Sequence, residues 1–217
     1  MTHASLFASL ILAAITVGSL HSLAPDHWLP IAAVARARDW SRGRAARVAF
    51  LCGFGHVTVS VMLGLLALLF GEQVLRSVGE RMVSLAGLLL IGFGVVYALW
   101  GMRSAMAHRF HGHHHHHYDH VHDPSTASTW SLFLIYCADP CIAVVPILFA
   151  AAPLSTVEQI SIVVAYEVAT VSAMVVLVAL AHSGARRFKG QWIERYGDST
   201  AGALIVATGI MVAVLDW

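Results

Sequence analysis

Almost purely apolar segments of fifteen to twenty-five residues recur along the whole chain, divided by shorter polar stretches. A helix rising about 1.5 Å per residue needs about twenty apolar residues to cross the roughly 30 Å of bilayer hydrocarbon, so each run is read as a membrane-crossing helix. Hydropathy places six such spans: Ala4 to Ala35, interrupted by Pro25 and Pro30; Val48 to Phe70; Met82 to Gly101; Trp130 to Ala152; Ile160 to Ala181; and Ala201 to Trp217. The expected fold class is all-α, a polytopic membrane protein with the lipid bilayer as its first partner.

Composition agrees. Of 217 residues, 58% are hydrophobic and 12% charged, with a mean hydropathy of +0.74, whereas a soluble domain carries about a quarter charged residues. This excludes an ordinary cytosolic enzyme. Thirteen basic residues nearly balance twelve acidic ones, so net charge gives no reason to expect a nucleic-acid partner. Cys52, Cys137 and Cys141 all lie in apolar stretches, an odd count that does not suggest a disulfide framework. The opening MTHASLFASL lacks the basic start and small-residue cleavage pattern of a signal peptide and is read as part of span one. The loops after spans one, three and five carry eleven of the thirteen basic residues. The positive-inside rule then places those loops in the cytoplasm and both termini outside, in what is expected to be a bacterial inner (plasma) membrane.

The informative residues are those that hydrocarbon should exclude: His21, Asp26 and His27 in span one, His56 in span two, Asp139 in span four and Glu167 in span five. A charge at mid-bilayer costs roughly 2.5 to 3.5 kcal/mol on insertion scales, so such residues usually face a bundle interior and mark an ion or substrate path. Counting along each helix puts Asp26, His56, Asp139 and Glu167 all about 12 to 15 Å from a membrane edge. Each alone is explicable as a helix–helix hydrogen bonder; together they point to a shared site. Histidine with carboxylate, in the absence of a hydrolase motif, is a ligand set for a divalent transition metal. On a straight helix Asp26 lies about 140° and His27 about 240° around from His21. One regular helix therefore cannot aim all three at one ion, but Pro25 and Pro30 each remove a backbone hydrogen bond and free the chain to unwind.

Two internal similarities suggest a repeat. Thr58-Val-Ser60-Val-Met62 of span two matches Thr170-Val-Ser172-Ala-Met174 of span five, and Ala-Pro25-Asp26-His27 of span one parallels Ala-Asp139-Pro140-Cys141 of span four. With three spans per half, the halves must enter the membrane from opposite sides. Proline-broken segments in corresponding positions of such inverted repeats point to a mid-membrane binding site. The expected organisation is residues 1–107 as the first three-helix half, 108–128 as a histidine-rich cytoplasmic loop, and 129–217 as the second half.

His21-Ser-Leu-Ala-Pro-Asp26-His27 resembles the His-x4-Asp-His signature of the nickel/cobalt transporter superfamily, and Gly55-His56-Val-Thr58 is similar to its Gly-His-Ser/Thr motif. The layout looks like its six-helix branch of nickel/cobalt efflux and urease-accessory-type permeases. The resemblance implies that His21, Asp26, His27 and His56 hold a nickel or cobalt ion, which is the transported substrate; no prosthetic group is expected. It is close over the first two spans and rests on layout beyond them.

Nine of the fourteen histidines crowd one loop: His108, His111, His113, His114, His115, His116, His117, His120 and His122. Neutral imidazoles at such density form a high-capacity metal sink, either a buffer or a sensor. His3, with the amino terminus, offers a further square-planar arrangement suited to nickel or copper. Asp139, Glu167, Cys137 and Cys141 are secondary candidate ligands. Two competing functions start from the same residues: a thiol oxidoreductase using Cys137 and Cys141, four apart and so neighbours on a helix face, and a proton-coupled anion exporter using Asp139 and Glu167.

Overall fold

Pro25 divides the first apolar run in two. The computed structural model describes residues 3–70, 85, 87–103, 106, 124–139, 141–185 and 191–215. In it, α1 (His3–His21) ends in a turn over residues 22–24, and α2 (Pro25–Ala37) starts afresh with Pro25 in its first turn, where a missing N–H costs no intrahelical bond. Pro30 was expected to break the chain again, yet it stays inside α2. The reason lies in a repair. Proline cannot donate to the carbonyl four residues back, and that carbonyl, of Asp26, instead accepts the Tyr136 hydroxyl at 2.8 Å.

The chain continues as α3 (Arg42–Phe70), α4 (Gly87–Arg103), α5 (Pro124–Ala138), a 3-10 turn (Ile142–Val144), α6 (Val145–Ala151), α7 (Thr156–Ala185) and α8 (Gln191–Leu215). All regular structure among the described residues is helical. Among the described residues, four helices are long and apolar enough to cross a membrane: His3–His21, Arg42–Phe70, Thr156–Gly184 and Tyr196–Val214. The run expected from Trp130 to Ala152 is broken like the first: α5 ends at Ala138, and a 3-10 turn from Ile142 leads into α6. The last helix begins ten residues before its expected start, because the polar turns from Gln191 to Thr200 are helical without being apolar.

Large apolar side chains such as Leu12, Leu20, Met62, Leu69, Leu180 and Val214 are exposed, a distribution suited to a hydrocarbon surround and costly in water. Inside, α7 is central, packing on α1, α2 and α3. Its buried stripe, Ile162, Tyr166, Thr170, Met174, Val178 and His182, recurs every four residues, as one helix face should. Glycines let the backbones close in. A Cβ at Gly18 of α1 would lie 2.7 Å from Thr170 Oγ1, and one at Gly94 of α4 would lie 2.7 Å from the Val206 nitrogen of α8. Gly87, Gly94, Gly202 and Gly209 form a seam along which α4 and α8 touch backbone to backbone, the small-residue packing common between membrane helices.

At the end of α2, Arg38 Nε donates to Tyr97 Oη at 2.8 Å, and that hydroxyl donates to Asp198 Oδ1 at 2.9 Å, tying α2, α4 and α8 together. The Arg38 guanidinium also sits 4.3 Å from the Trp100 ring centroid, a cation–π distance.

Candidate metal site

The turn after α1 does what a continuous helix could not. His21 is the last residue of α1 and His27 lies in the first turn of α2. Their ring centroids are 4.3 Å apart, and His56 of α3 completes the group at 4.9 Å from His27 and 6.1 Å from His21. His27 and His56 are 3% and 1% exposed. Ser22, inside the turn, donates to the Gly18 carbonyl at 2.8 Å and to the Thr170 carbonyl of α7 at 3.3 Å, which anchors the break to the bundle.

Each imidazole has a free ring nitrogen. His56 Nδ1 lies 3.3 Å from the Tyr136 carbonyl; a carbonyl only accepts, so Nδ1 carries the proton and Nε2 keeps its lone pair. That Nε2, like His21 Nε2 and His27 Nε2, is buried with no hydrogen-bond partner among the described residues. A buried polar atom left unpaired costs about 1 to 3 kcal/mol, and three of them in one cluster call for a shared partner. His27 Nδ1 is 3.1 Å from Asp26 Oδ2, close enough for an ion pair but not aligned as a hydrogen bond. Carboxylate behind imidazole is the usual support for a metal-binding histidine.

The described residues contain one set of three ligand side chains whose donor atoms all lie within 4.8 Å of one another: His21, His56 and Cys141. Cys141 follows the α5–α6 break. Its amide donates to Ser60 Oγ of α3 at 2.6 Å, and its sulfur is 2.7 Å from Tyr166 Oη of α7. His27 and Asp26, paired with each other, lie beside this set rather than in it. Asp139 is near enough to Asp26 and His27 to interact with their charges. A cleft of about 340 Å³, lined by Leu20, His21, Pro25, Asp26, Met211 and Val212, reaches the cluster from beside α8.

Other candidate residues lie apart. Glu167 sits one position off the buried stripe of α7 and belongs to no described ligand set, with Oε1 buried and unpartnered. His3 instead faces Glu158 at 3.4 Å; the amino terminus and the loop histidines, His108 to His122, lie outside the described residues. Cys137 and Cys141 were expected as neighbours on one helix face. They are not, because α5 ends at Ala138. Both are free thiols, Cys137 facing Gly55 and Cys141 facing Ser60 and Tyr166.

Sequence reasoning missed Tyr136 and Tyr166, which hold the site from behind; neither is ionised or costly to bury, so hydropathy gives no signal for them. Tyr136→Phe is expected to strand the Asp26 carbonyl, destabilising the protein by about 1 to 3 kcal/mol. It should also weaken metal binding about 10- to 100-fold, as loss of a supporting contact does. Thermal unfolding and metal titration of the purified variant check both. No protein family, curated protein or solved structure matches the chain.

Proposed function

We propose that this chain is a membrane permease for a divalent transition-metal ion, nickel or cobalt by the resemblance of its first two spans, and that His21, His27 and His56 with Asp26 hold the ion in transit. The observation that carries the reading is the convergence of imidazoles from two sides of a helix break and from α3, each with a buried Nε2 that has no hydrogen-bond partner among the described residues. Neutral imidazole suits nickel, cobalt and zinc. A shell incomplete in protein ligands leaves room for water and for rapid exchange, unlike a closed structural site.

The same reading takes the chain as six spans in two inverted halves. Supporting it, the break after α1 docks on α7 through Ser22 and Thr170, while the break after α5 docks on α3 through Cys141 and Ser60. Each broken segment thus leans on the unbroken helix of the other half, an arrangement in which one half can rock against the other around a fixed site. The histidine-rich loop acts as the cytoplasmic reservoir.

Flux of nickel, cobalt and zinc into vesicles carrying the oriented protein tests this. Saturable flux above that of empty vesicles is expected. Equal flux in both would refute it.

A further inference from the structure

We infer that Cys141 is a further ligand and the one that sets the metal class: His21, His56 and Cys141 form the tight core of the site, two imidazoles and a thiolate with His27 and Asp26 beside them, for a borderline or soft cation such as cobalt, nickel or zinc. The inference rests on the permease reading for the ion's purpose but not for its coordination.

The donor atoms of these residues lie within 4.8 Å of one another. A tetrahedral ion with nitrogen and sulfur ligands needs donor separations of about 3.3 to 3.8 Å, the tetrahedron edge given by bonds of about 2.0 to 2.3 Å. Side-chain rotation closes a gap of that size without moving helices. The two imidazoles offer nitrogens that nothing else occupies: His56 Nε2 is buried and unpartnered with its tautomer set by the Tyr136 carbonyl, and His21 Nε2 is equally unpartnered. Cys141 is 2% exposed, and its backbone amide is held by Ser60 Oγ at 2.6 Å, which fixes the point from which the sulfur projects.

Tyr166 supplies the support a thiolate needs. Its hydroxyl is 2.7 Å from the sulfur, and Tyr166 itself is fully buried. When an ion binds, the S–H bond breaks, the metal–sulfur bond forms, and the thiol proton is released to water. The Tyr166 O–H then donates to the bound sulfur, and no oxidant or reductant enters the step. Thiolate discriminates against magnesium, calcium and manganese, which prefer oxygen ligands. Cys52 and Cys137, the other thiols, belong to no described ligand set.

Anaerobic titration of the purified full-length protein with cobalt(II) tests the assignment by absorption spectroscopy, since a sulfur-to-cobalt charge-transfer band in the near ultraviolet requires a thiolate ligand, and the loop histidines cannot produce it. Wild type and the Cys52→Ser/Cys137→Ser double variant should both show the band, its amplitude saturating at one thiolate-bound cobalt per chain whatever the loop histidines take up. Cys141→Ser should lose it, with affinity for cobalt lowered at least about tenfold. Tyr166→Phe should retain the band at weaker affinity. No band in wild type, or a band that survives Cys141→Ser, overturns the assignment. Vesicle flux separates the two claims: metal flux without the band leaves the permease reading standing and removes the thiolate, whereas the band without flux upholds the site and removes the permease.

Discussion

Replacing His56 by alanine is expected to lower metal flux by more than 100-fold while the protein still inserts and folds. His56 is the pivot of the cluster: it is 1% exposed, its Nδ1 is held by Tyr136, its Nε2 is buried with no hydrogen-bond partner among the described residues, and its ring lies 4.9 Å from that of His27 and 6.1 Å from that of His21. Losing a residue behind a metal ligand typically costs about 10- to 100-fold in affinity, and losing the ligand itself removes both the bond and its alignment. Folding should suffer less. His56→Ala deletes a buried polar ring whose Nε2 was unsatisfied, which offsets part of the roughly 2 to 5 kcal/mol that a large-to-small core change would cost. His56→Gln, with similar bulk, guards against misreading a packing defect. Flux at fixed metal concentration, normalised to the amount of inserted protein, checks the expectation; wild-type rates from either variant would refute it.

The second large effect concerns the frame. Gly94→Leu is expected to cost about 3 kcal/mol or more, since overpacking a close contact typically costs about 1 to 3 kcal/mol and sometimes exceeds it. The neighbours here are backbone, the Val206 nitrogen at 2.7 Å and the Gly202 oxygen at 2.8 Å from the added Cβ, and backbone cannot rotate away. Gly92, two residues earlier on the same helix, has nothing within 4 Å of its Cβ position, so Gly92→Leu should change stability by no more than about 0.5 kcal/mol. Thermal unfolding in one detergent compares the pair. Because α8 packs on α2 and lines the cleft beside His21, Gly94→Leu should also reduce flux. Equal stability of the two variants would show that the seam does not hold α4 to α8.

Much of this was legible in the sequence because burial of charge in hydrocarbon is so costly that the exceptions announce themselves. His21, His27 and His56 stood out on that ground alone, and Pro25 marked where the chain had to turn for them to meet. Pro30 was misjudged: its lost hydrogen bond is replaced by Tyr136, 106 positions further along the chain, a long-range compensation that no local pattern encodes. The facing of Glu167 was likewise not encoded locally. Depth along a helix can be counted from sequence, but facing depends on which stripe packs inward, and on α7 that stripe runs through Tyr166 and Thr170. The pairing of Cys137 with Cys141 on one helix face failed because α5 ends at Ala138, between them. The α4–α8 glycine seam went unread, since single glycines in apolar runs look like composition until a partner helix is opposite them.

The convergence of imidazoles on one ion is tested most directly by X-ray absorption at the nickel edge, with one equivalent bound to protein from which residues 108–122 have been removed so that loop histidines do not compete. The expected spectrum contains imidazole outer-shell scattering from the intact chain, reduced by one ring in His21→Ala and again by one in His56→Ala. A shell made only of oxygen, or one identical in wild type and both variants, would contradict it.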